Sequence, residues 1–281
     1  MENNKVWFVT GASKGLGLAL VKKLLSEGYK VAATSRNLSD LNKAVDAHNG
    51  QFLPLAVNLT NEDSVQEAIE LAVKTLGKID VVVNNAGYGL LGGIEELTDR
   101  EARDNFEVNV FGSLNVIRKA LPYLRAQKSG HILNVSSIGG FTGAFAGGGI
   151  YCATKFAVNG FSETLSAEVA PFGIKVTIVQ PGYFRTNFLS AGSLAVPQNQ
   201  IADYQNVRDT VNFHQNDMDQ QQAGDPEKAA AAMISITNEA NPPLNLFLGE
   251  DAYGLAEKKL AFVQNELQTW KELTLSTAIQ Q

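Results

Sequence analysis

A tyrosine and a lysine four residues apart, Tyr151 and Lys155 in "GGGIYCATK", share one face of any helix that carries them. A phenol titrates near 10 and is a poor base near neutrality unless its anion is stabilised. A nearby ammonium supplies that stabilisation, and a shift of about 3 units needs roughly 4 kcal/mol of differential interaction. The pair could therefore move a proton, but the same spacing is common on plain helix surfaces, and both readings stay open on these two residues alone. Ser137, in "LNVSSIGG", ends an apolar run. With no adjacent base and no GxSxG turn it is suited to hydrogen-bond an oxygen rather than attack a carbon. Asn109, in "FEVNVFG", falls inside a helical pattern where a short amide is disfavoured by propensity. Its plain alternative is a helix-distorting structural role. Cys152 adjoins Tyr151 but points about 100° away around a helix, which leaves it out of the chemistry.

The elements that must position these groups alternate regularly. Strands are expected at Lys5 to Thr10, Lys30 to Ser35, Gln51 to Asn58, Ile79 to Asn84, His131 to Ser136, Lys175 to Gln180 and Leu244 to Leu248. Between them the pattern predicts helices over Leu16 to Ser26, Leu38 to Asn49, Glu62 to Leu76, Arg100 to Leu121, Tyr151 to Ala170 and Glu227 to Thr237, with a last one over Ala252 to Leu273. Thr98 and Glu101 form a capping box, and Asp225 before Pro226 is an N-cap signal. Strands such as "IDVVVN" and "KVTIVQ" are apolar with little alternation, as when both faces are covered. The expected fold is α/β: one doubly wound, Rossmann-type parallel sheet of about seven strands with helices on both faces. Residues 1–281 are expected to form a single domain. The polar segment from 183 to 224, with scattered Phe184, Phe188, Tyr204 and Phe213, reads as a substrate lid with short helices or, more plainly, a poorly ordered insertion. Trp7 and Trp270 read as core or interface packing.

Ligands of such sheets bind beyond the carboxyl ends of the strands. There the first strand runs into "TGASKGLG", with Gly11, Ser13, Lys14, Gly15, Leu16 and Gly17 before a helix. A glycine turn there lets backbone N–H groups approach a pyrophosphate at the positive helix end. The G-x-x-x-G-x-G spacing differs from G-x-G-x-x-G and lacks the Lys-Ser/Thr of a triphosphate loop, so a purely structural tight turn is the competing reading.

The glycine loop, "NNAG" at Asn84 to Gly87, and Asn109, Ser137, Tyr151 and Lys155 together resemble the short-chain dehydrogenase/reductase family over roughly Lys5 to Thr186. The resemblance implies interconversion of a carbonyl compound and a secondary alcohol by hydride transfer, with Tyr151 as acid/base. Lys155 would tune the tyrosine and contact the nicotinamide ribose, Ser137 would hold the substrate oxygen, and Asn109 would anchor a water leading to solvent. Asn85, Ala86 and Gly87 would lie near the adenine ribose. Pro181 and Gly182 in "QPGYFRT" would pass close to the nicotinamide, with Thr186 bonding its carboxamide. Asn58 stands where an aspartate facing adenine is usual, with Leu59 keeping the apolar neighbour. Ser35 stands where an NAD enzyme carries an acid, and Arg36 follows it. With Lys14 these favour the 2′-phosphate of NADP(H) over NAD(H). Ser137 to Tyr151 is one residue longer than the spacing usual in relatives, which predicts a bulged, flexible loop at Gly147 to Gly149.

Alternatives are an NAD-dependent alcohol dehydrogenase, a sugar-nucleotide epimerase or dehydratase, and an inactive cofactor-sensing protein. Epimerase relatives usually carry TGxxGxxG and a larger C-terminal domain, and an inactive sensor predicts a damaged tetrad. Neither pattern is present here. The net charge of −6 disfavours nucleic acid and anionic membranes as partners. The three histidines are too dispersed for a zinc site, and one cysteine fits a reducing compartment. No signal-like start or long apolar run is seen, and the cytoplasm is the expected location. The apolar stretch "GFTGAFAGGGI" and the aromatics of the 183–224 segment suit a partly hydrophobic carbonyl or alcohol substrate. Helices Arg100 to Leu121 and Tyr151 to Ala170 resemble those by which family members form homodimers or homotetramers.

Overall fold

The protein, described as a computed structural model over residues 5–47, 50–190 and 192–279, is built on one seven-stranded parallel sheet. In chain order the first elements are β1 (Val6–Val9), α1 (Gly15–Ser26), β2 (Lys30–Ser35), α2 (Leu38–Val45), β3 (Phe52–Ala56), α3 (Glu62–Leu76), β4 (Val81–Asn84) and β5 (Gly89–Leu90). There follow α4 (Asp99–Phe106), α5 (Gly112–Gln127), β6 (Gly130–Val135), α6 (Gly149–Val169), β7 (Ile174–Pro181) and β8 (Leu194–Ala195). The chain closes with α7 (Gln205–Asn212), α8 (Pro226–Ile236), β9 (Asn245–Leu248), α9 (Glu250–Thr269) and α10 (Lys271–Leu275). The large sheet runs β3-β2-β1-β4-β6-β7-β9, while β5 and β8 pair separately. Strand order reverses between β1 and β4, so a crevice opens at their carboxyl ends.

Side-chain alternation explains why these strands are apolar throughout. Val6 and Phe8 of β1 face the layer that holds Ile69, Val116 and Leu165, whereas Trp7 and Val9 face Leu20, Leu24 and Met233. Each such fully buried side chain contributes about 1.5–3 kcal/mol. Trp7 is a core residue, edge-on to Tyr29 at 5.9 Å. Trp270 belongs to no core within the chain and is 59% exposed.

Several expected boundaries shift for local reasons. The capping box at Thr98 and Glu101 and the Asp225 cap both form. The helix expected over Arg100 to Leu121 is instead α4, a π-helical turn at Glu107–Phe111, and α5. α5 continues through Pro122 because buried Leu124 holds its last turn on the core despite the missing N–H. α2 stops at Val45, where Asp46 turns left-handed at φ 48°; the expected continuation through His48 and Asn49 lies outside the described residues. α9 leaves the body after its first turns. Ala252 and Ala256 pack against Ile138, and beyond Ala256 every described residue except half-buried Lys259 is exposed. Among the described residues no helix is long and apolar enough to cross a membrane.

Candidate active site

The crevice is a cleft of about 1150 Å³, and its floor is made by two loops that mesh. Thr10 Oγ1 accepts hydrogen bonds from the N–H groups of Asn85 and Ala86 at 3.0 and 3.1 Å. The Asn85 amide donates to the Thr10 and Gly11 carbonyls, each at 3.0 Å. Gly11 has φ 65°, and a Cβ there would sit 2.7 Å from Ala86 Cα. A side chain at Gly17 would strike the Asn85 amide. These two glycines serve the close approach of the loops, and Thr10, which the sequence reading passed over, ties them.

Gly15 differs. Its φ is 61°, yet a Cβ would meet nothing nearer than Thr186 at 3.9 Å, so the loop is open toward the cleft. α1 begins here, and its N-cap, Lys14, makes no side-chain cap bond. The first-turn N–H groups and the positive helix end thus face a space that suits a phosphate. A dinucleotide fits these residues on that observation. Ser13, Leu16, Ser35, Arg36, Asn58 and Leu59 line the same cleft. Ser35 donates to Ser13 at 3.2 Å. Burial, and secondarily the Arg36 charge, lowers the Lys14 pKa, which sets the two cations together. Lys14 also donates to the Gly192 carbonyl at 2.8 Å. The Asn58 side-chain oxygen Oδ1 accepts from the Thr60 N–H and hydroxyl.

The other end of the cleft gathers Ser137, Tyr151 and Lys155. β6 delivers Ser137, whose Oγ accepts from Gly139 N at 3.0 Å and caps the turn Ile138–Gly140. That turn presses on α6: a Cβ at Gly140 would lie 2.7 Å from the Lys155 carbonyl oxygen. Ser136 Oγ donates to that same carbonyl at 3.1 Å, and Asn159 donates to Gly140 O and Gln180 Oε1, each at 2.9 Å. Ser136, Gly140 and Asn159 thereby set the serine against the tyrosine. Polar residues on the inward face of α6 were the signal that could have revealed them.

Burial raises the Tyr151 phenol well above its ordinary 10, and a hydrogen bond with Ser137 opposes the rise. Burial thus works against the lowering expected from Lys155. Lys155 is buried and pushed down to about 8 by that burial. Its ammonium donates to Val135 O at 3.0 Å and lies 5.8 Å from the Tyr151 ring centre. Cys152 is held up at about 11 by burial, which leaves it a thiol.

Asn109 lies behind the cleft, in the π-helical turn. Its amide donates to Tyr88 O at 3.0 Å and Thr154 Oγ1 at 3.1 Å, and its oxygen accepts from Tyr88 N at 3.0 Å. A Cβ on Gly87 would meet Asn109 Oδ1 at 3.0 Å and Lys155 Nζ at 3.6 Å, so the two groups flank Gly87. Pro181, Gly182 and Thr186 line the cleft beyond β7. Asp251, at the start of α9, accepts from Tyr183 N at 2.7 Å and leaves no room for a side chain at Gly182. The sequence reading gave Asp251 no role.

Described residues of the 183–224 segment, Tyr183, Phe184, Thr186 to Leu189 and Gly192 to Ala195 with His214 and Gln222, supply one wall of the cleft. The Phe188 ring lies 6.1 Å from that of Tyr151, and the Tyr183 hydroxyl bonds His214 Nε2 at 2.9 Å. His214 belongs to a second π-helical turn, Phe213–Met218. Gly147 is left-handed at φ 78°, and its carbonyl accepts from Gly92 N at 2.8 Å. A Cβ there would reach Val207 of α7 at 2.9 Å. Gly147 therefore admits α7, whereas Gly148 faces Cys152 and Gly149 faces Ile94; the loop expected over Gly147 to Gly149 stops at Gly148, because Gly149 already opens α6 two residues before Tyr151.

A family model described as short chain dehydrogenase matches residues 5–194. The chain belongs to the short-chain dehydrogenase family and is an oxidoreductase of that family. An oxidoreductase, BOA17, of Botryotinia fuckeliana is 36% identical over 98% of this chain and 99% of its own. A 3-ketodihydrosphingosine reductase of Bacteroides thetaiotaomicron is also 36% identical, covering 87% of this chain and 88% of its own. Among solved structures, a short-chain dehydrogenase from Streptomyces avermitilis is 38% identical with a TM-score of 0.89, over 98% of this chain and 100% of that one. A Burkholderia cenocepacia short chain dehydrogenase in complex with NADP is 27% identical with a TM-score of 0.72, over 94% and 96%.

Proposed function

We propose that the protein is an NADP(H)-dependent oxidoreductase that interconverts a partly hydrophobic carbonyl compound and its secondary alcohol, with Tyr151 as the acid/base. The reading is carried by one observation: Ser137, Tyr151 and Lys155 line the same cleft as the open, uncapped start of α1. When bound, the dinucleotide would give the hydride to the carbonyl carbon or take it from the alcohol. Gly11, Ser13, Gly15, Leu16 and Gly17 would cradle its pyrophosphate, while Lys14, Ser35 and Arg36 receive the 2′-phosphate. Asn58, Leu59, Asn85, Ala86 and Gly87 would surround the adenosine, and Tyr151, Lys155, Pro181, Gly182 and Thr186 the nicotinamide end.

Reduction needs a proton at the carbonyl oxygen, and a buried phenol held protonated is suited to give it. Ser137 orients that oxygen. The Lys155 ammonium stabilises the phenolate left behind. With its side chain committed to Tyr88 and Thr154, Asn109 acts by position: it fixes the Gly87 turn beside Lys155. Phe188, Leu189, Leu91 and Phe145 give the substrate end an apolar lining, in keeping with a relative named 3-ketodihydrosphingosine reductase. The neighbour holding NADP supports the cofactor assignment, as does the pairing of Lys14 with Arg36. NAD(H) is the second reading, favoured by Asp40 on the same lining.

The segment from 183 to 224 would act as the substrate lid of one 281-residue domain. α5 and α6, with Phe111 and Phe156 exposed, would form a homodimer or homotetramer interface, which light scattering checks. The single buried cysteine fits a cytoplasmic setting, and cell fractionation tests that placement. The deciding experiment is a carbonyl and alcohol panel with each cofactor, followed by nicotinamide absorbance. Tyr151→Phe should lower turnover by about 10²–10⁴-fold. Full activity in that variant, or no substrate turned over at all, overturns the assignment.

A further inference from the structure

Past Ala256 the C-terminal helix runs through solvent carrying Leu260, Phe262, Val263, Leu267 and Trp270, all exposed. Apart from Phe262, whose ring lies under the Lys259 ammonium, its apolar residues form one line. Tyr253, Ala256, Leu260, Val263, Leu267 and Trp270 follow one another at steps of three and four, the heptad spacing that keeps a seam on one side of a helix. The root of the seam, Ala256, is already covered by the body, and the rest is bare. A helical stretch as short as Glu257–Thr269 is marginal in water without tertiary packing, and an apolar stripe of this length on a soluble surface marks a contact site.

We infer that a second copy of this chain packs on this seam, the two α9 helices lying side by side. The flanking charges suit a self-pairing. In an antiparallel pair Lys259 of each copy meets Glu266 of the other along one edge of the seam. A two-fold axis doubles each contact, because an isologous interface uses the same patch twice. The same charges argue against a lipid surface: Glu257, Glu266 and Glu272 balance Lys258, Lys259 and Lys271, so the helix has no basic face for anionic headgroups. This seam lies apart from α5 and α6, and it stands whichever substrate or cofactor the cleft takes.

The full chain tests this by sedimentation and light scattering. The wild-type mass should be an even multiple of one chain, and Leu260→Asp with Leu267→Asp should halve it while circular dichroism and nicotinamide-cofactor binding are retained. Cross-linking with a short bismaleimide keeps the idea falsifiable if that variant folds poorly. Val263→Cys, on the seam, should give covalent dimers, and Lys258→Cys, on the opposite face, should not. A monomeric wild type, an unchanged mass in the double variant, or equal cross-linking at both positions overturns the proposal. So does pelleting of the wild-type chain with phosphatidylserine vesicles that is lost in the double variant.

Discussion

The carboxylate of Glu96, buried in the loop after β5, is held by the guanidinium of Arg208 from α7 at 2.6 Å. Its second oxygen accepts from Ile201 N at 2.8 Å, and Gly93 N donates at 2.6 Å to the oxygen that Arg208 binds. One buried side chain thus fastens the 183–224 segment to the body beside the substrate end of the cleft. Glu96 and Arg208 are distant in sequence, and neither belongs to the family motifs.

Glu96→Gln should loosen that segment. A buried ion pair that loses one partner leaves the other charge uncompensated, and we expect a fall in Tm on the order of 2–4 °C with a raised KM for carbonyl substrate. The hydrogen bond from Arg208 holds the Glu96 carboxyl at about 2 against its burial. Its contribution is present above the ordinary carboxylate value near 4.5 and is lost as pH falls toward 2. Thermal melts of both forms between neutrality and acid check this: the difference between them should shrink on acidification.

The pH profile of carbonyl reduction should fall as pH rises through about 8, because burial sets Lys155 there and the charged form is the one below that value. Tyr151 stays protonated across the same interval. Rates at saturating cofactor measure it. A first falling limb near 10 or above would remove the lysine from the proposed role.

Arg36→Asp should turn the cleft from NADPH toward NADH. Loss of a charge-assisted bond and gain of a like charge against the 2′-phosphate predicts roughly 10- to 100-fold weaker NADPH binding. Fluorescence titration with both cofactors reads the change, and unaltered selectivity would place the phosphate elsewhere.

Phe188→Ala removes the ring that tilts against Tyr151 at 6.1 Å. Bulky apolar carbonyls should suffer in kcat/KM by about 10- to 100-fold, small ones much less, since the lost contact is apolar area. Equal losses across a size series would mean that the ring positions the tyrosine instead of the substrate.

The alternating strands and helices were legible because both faces of the sheet are covered, so β1 and β4 read as near-continuous apolar runs. The tetrad and the glycine loop were legible as short patterns. What stayed hidden depends on distance in sequence. Thr10 reaches Asn85, Gly140 reaches Lys155, and Asp251 reaches Tyr183; nothing local distinguishes these residues from turn or cap residues. The π-helical turn around Asn109 was read as unbroken helix, because its cause is the pull of Tyr88 and Thr154 on one amide. Tyr151 was expected to be lowered by its lysine, and burial, which no spacing reveals, works against that lowering.

The meshing of Gly11 with Ala86 has a consequence for how the protein comes to have a site at all. The loop proposed to cradle the pyrophosphate is shaped at the end of β1, but its far side arrives only when β4 has paired beside it. A nascent chain that has emerged only as far as α3 carries the whole glycine motif and no binding loop. Once β4 docks, Thr10 and Asn85 lock both loops as one rigid unit, so dinucleotide binding has little left to order. Affinity is preorganised by a long-range strand pairing, and it should appear late in folding, all at once.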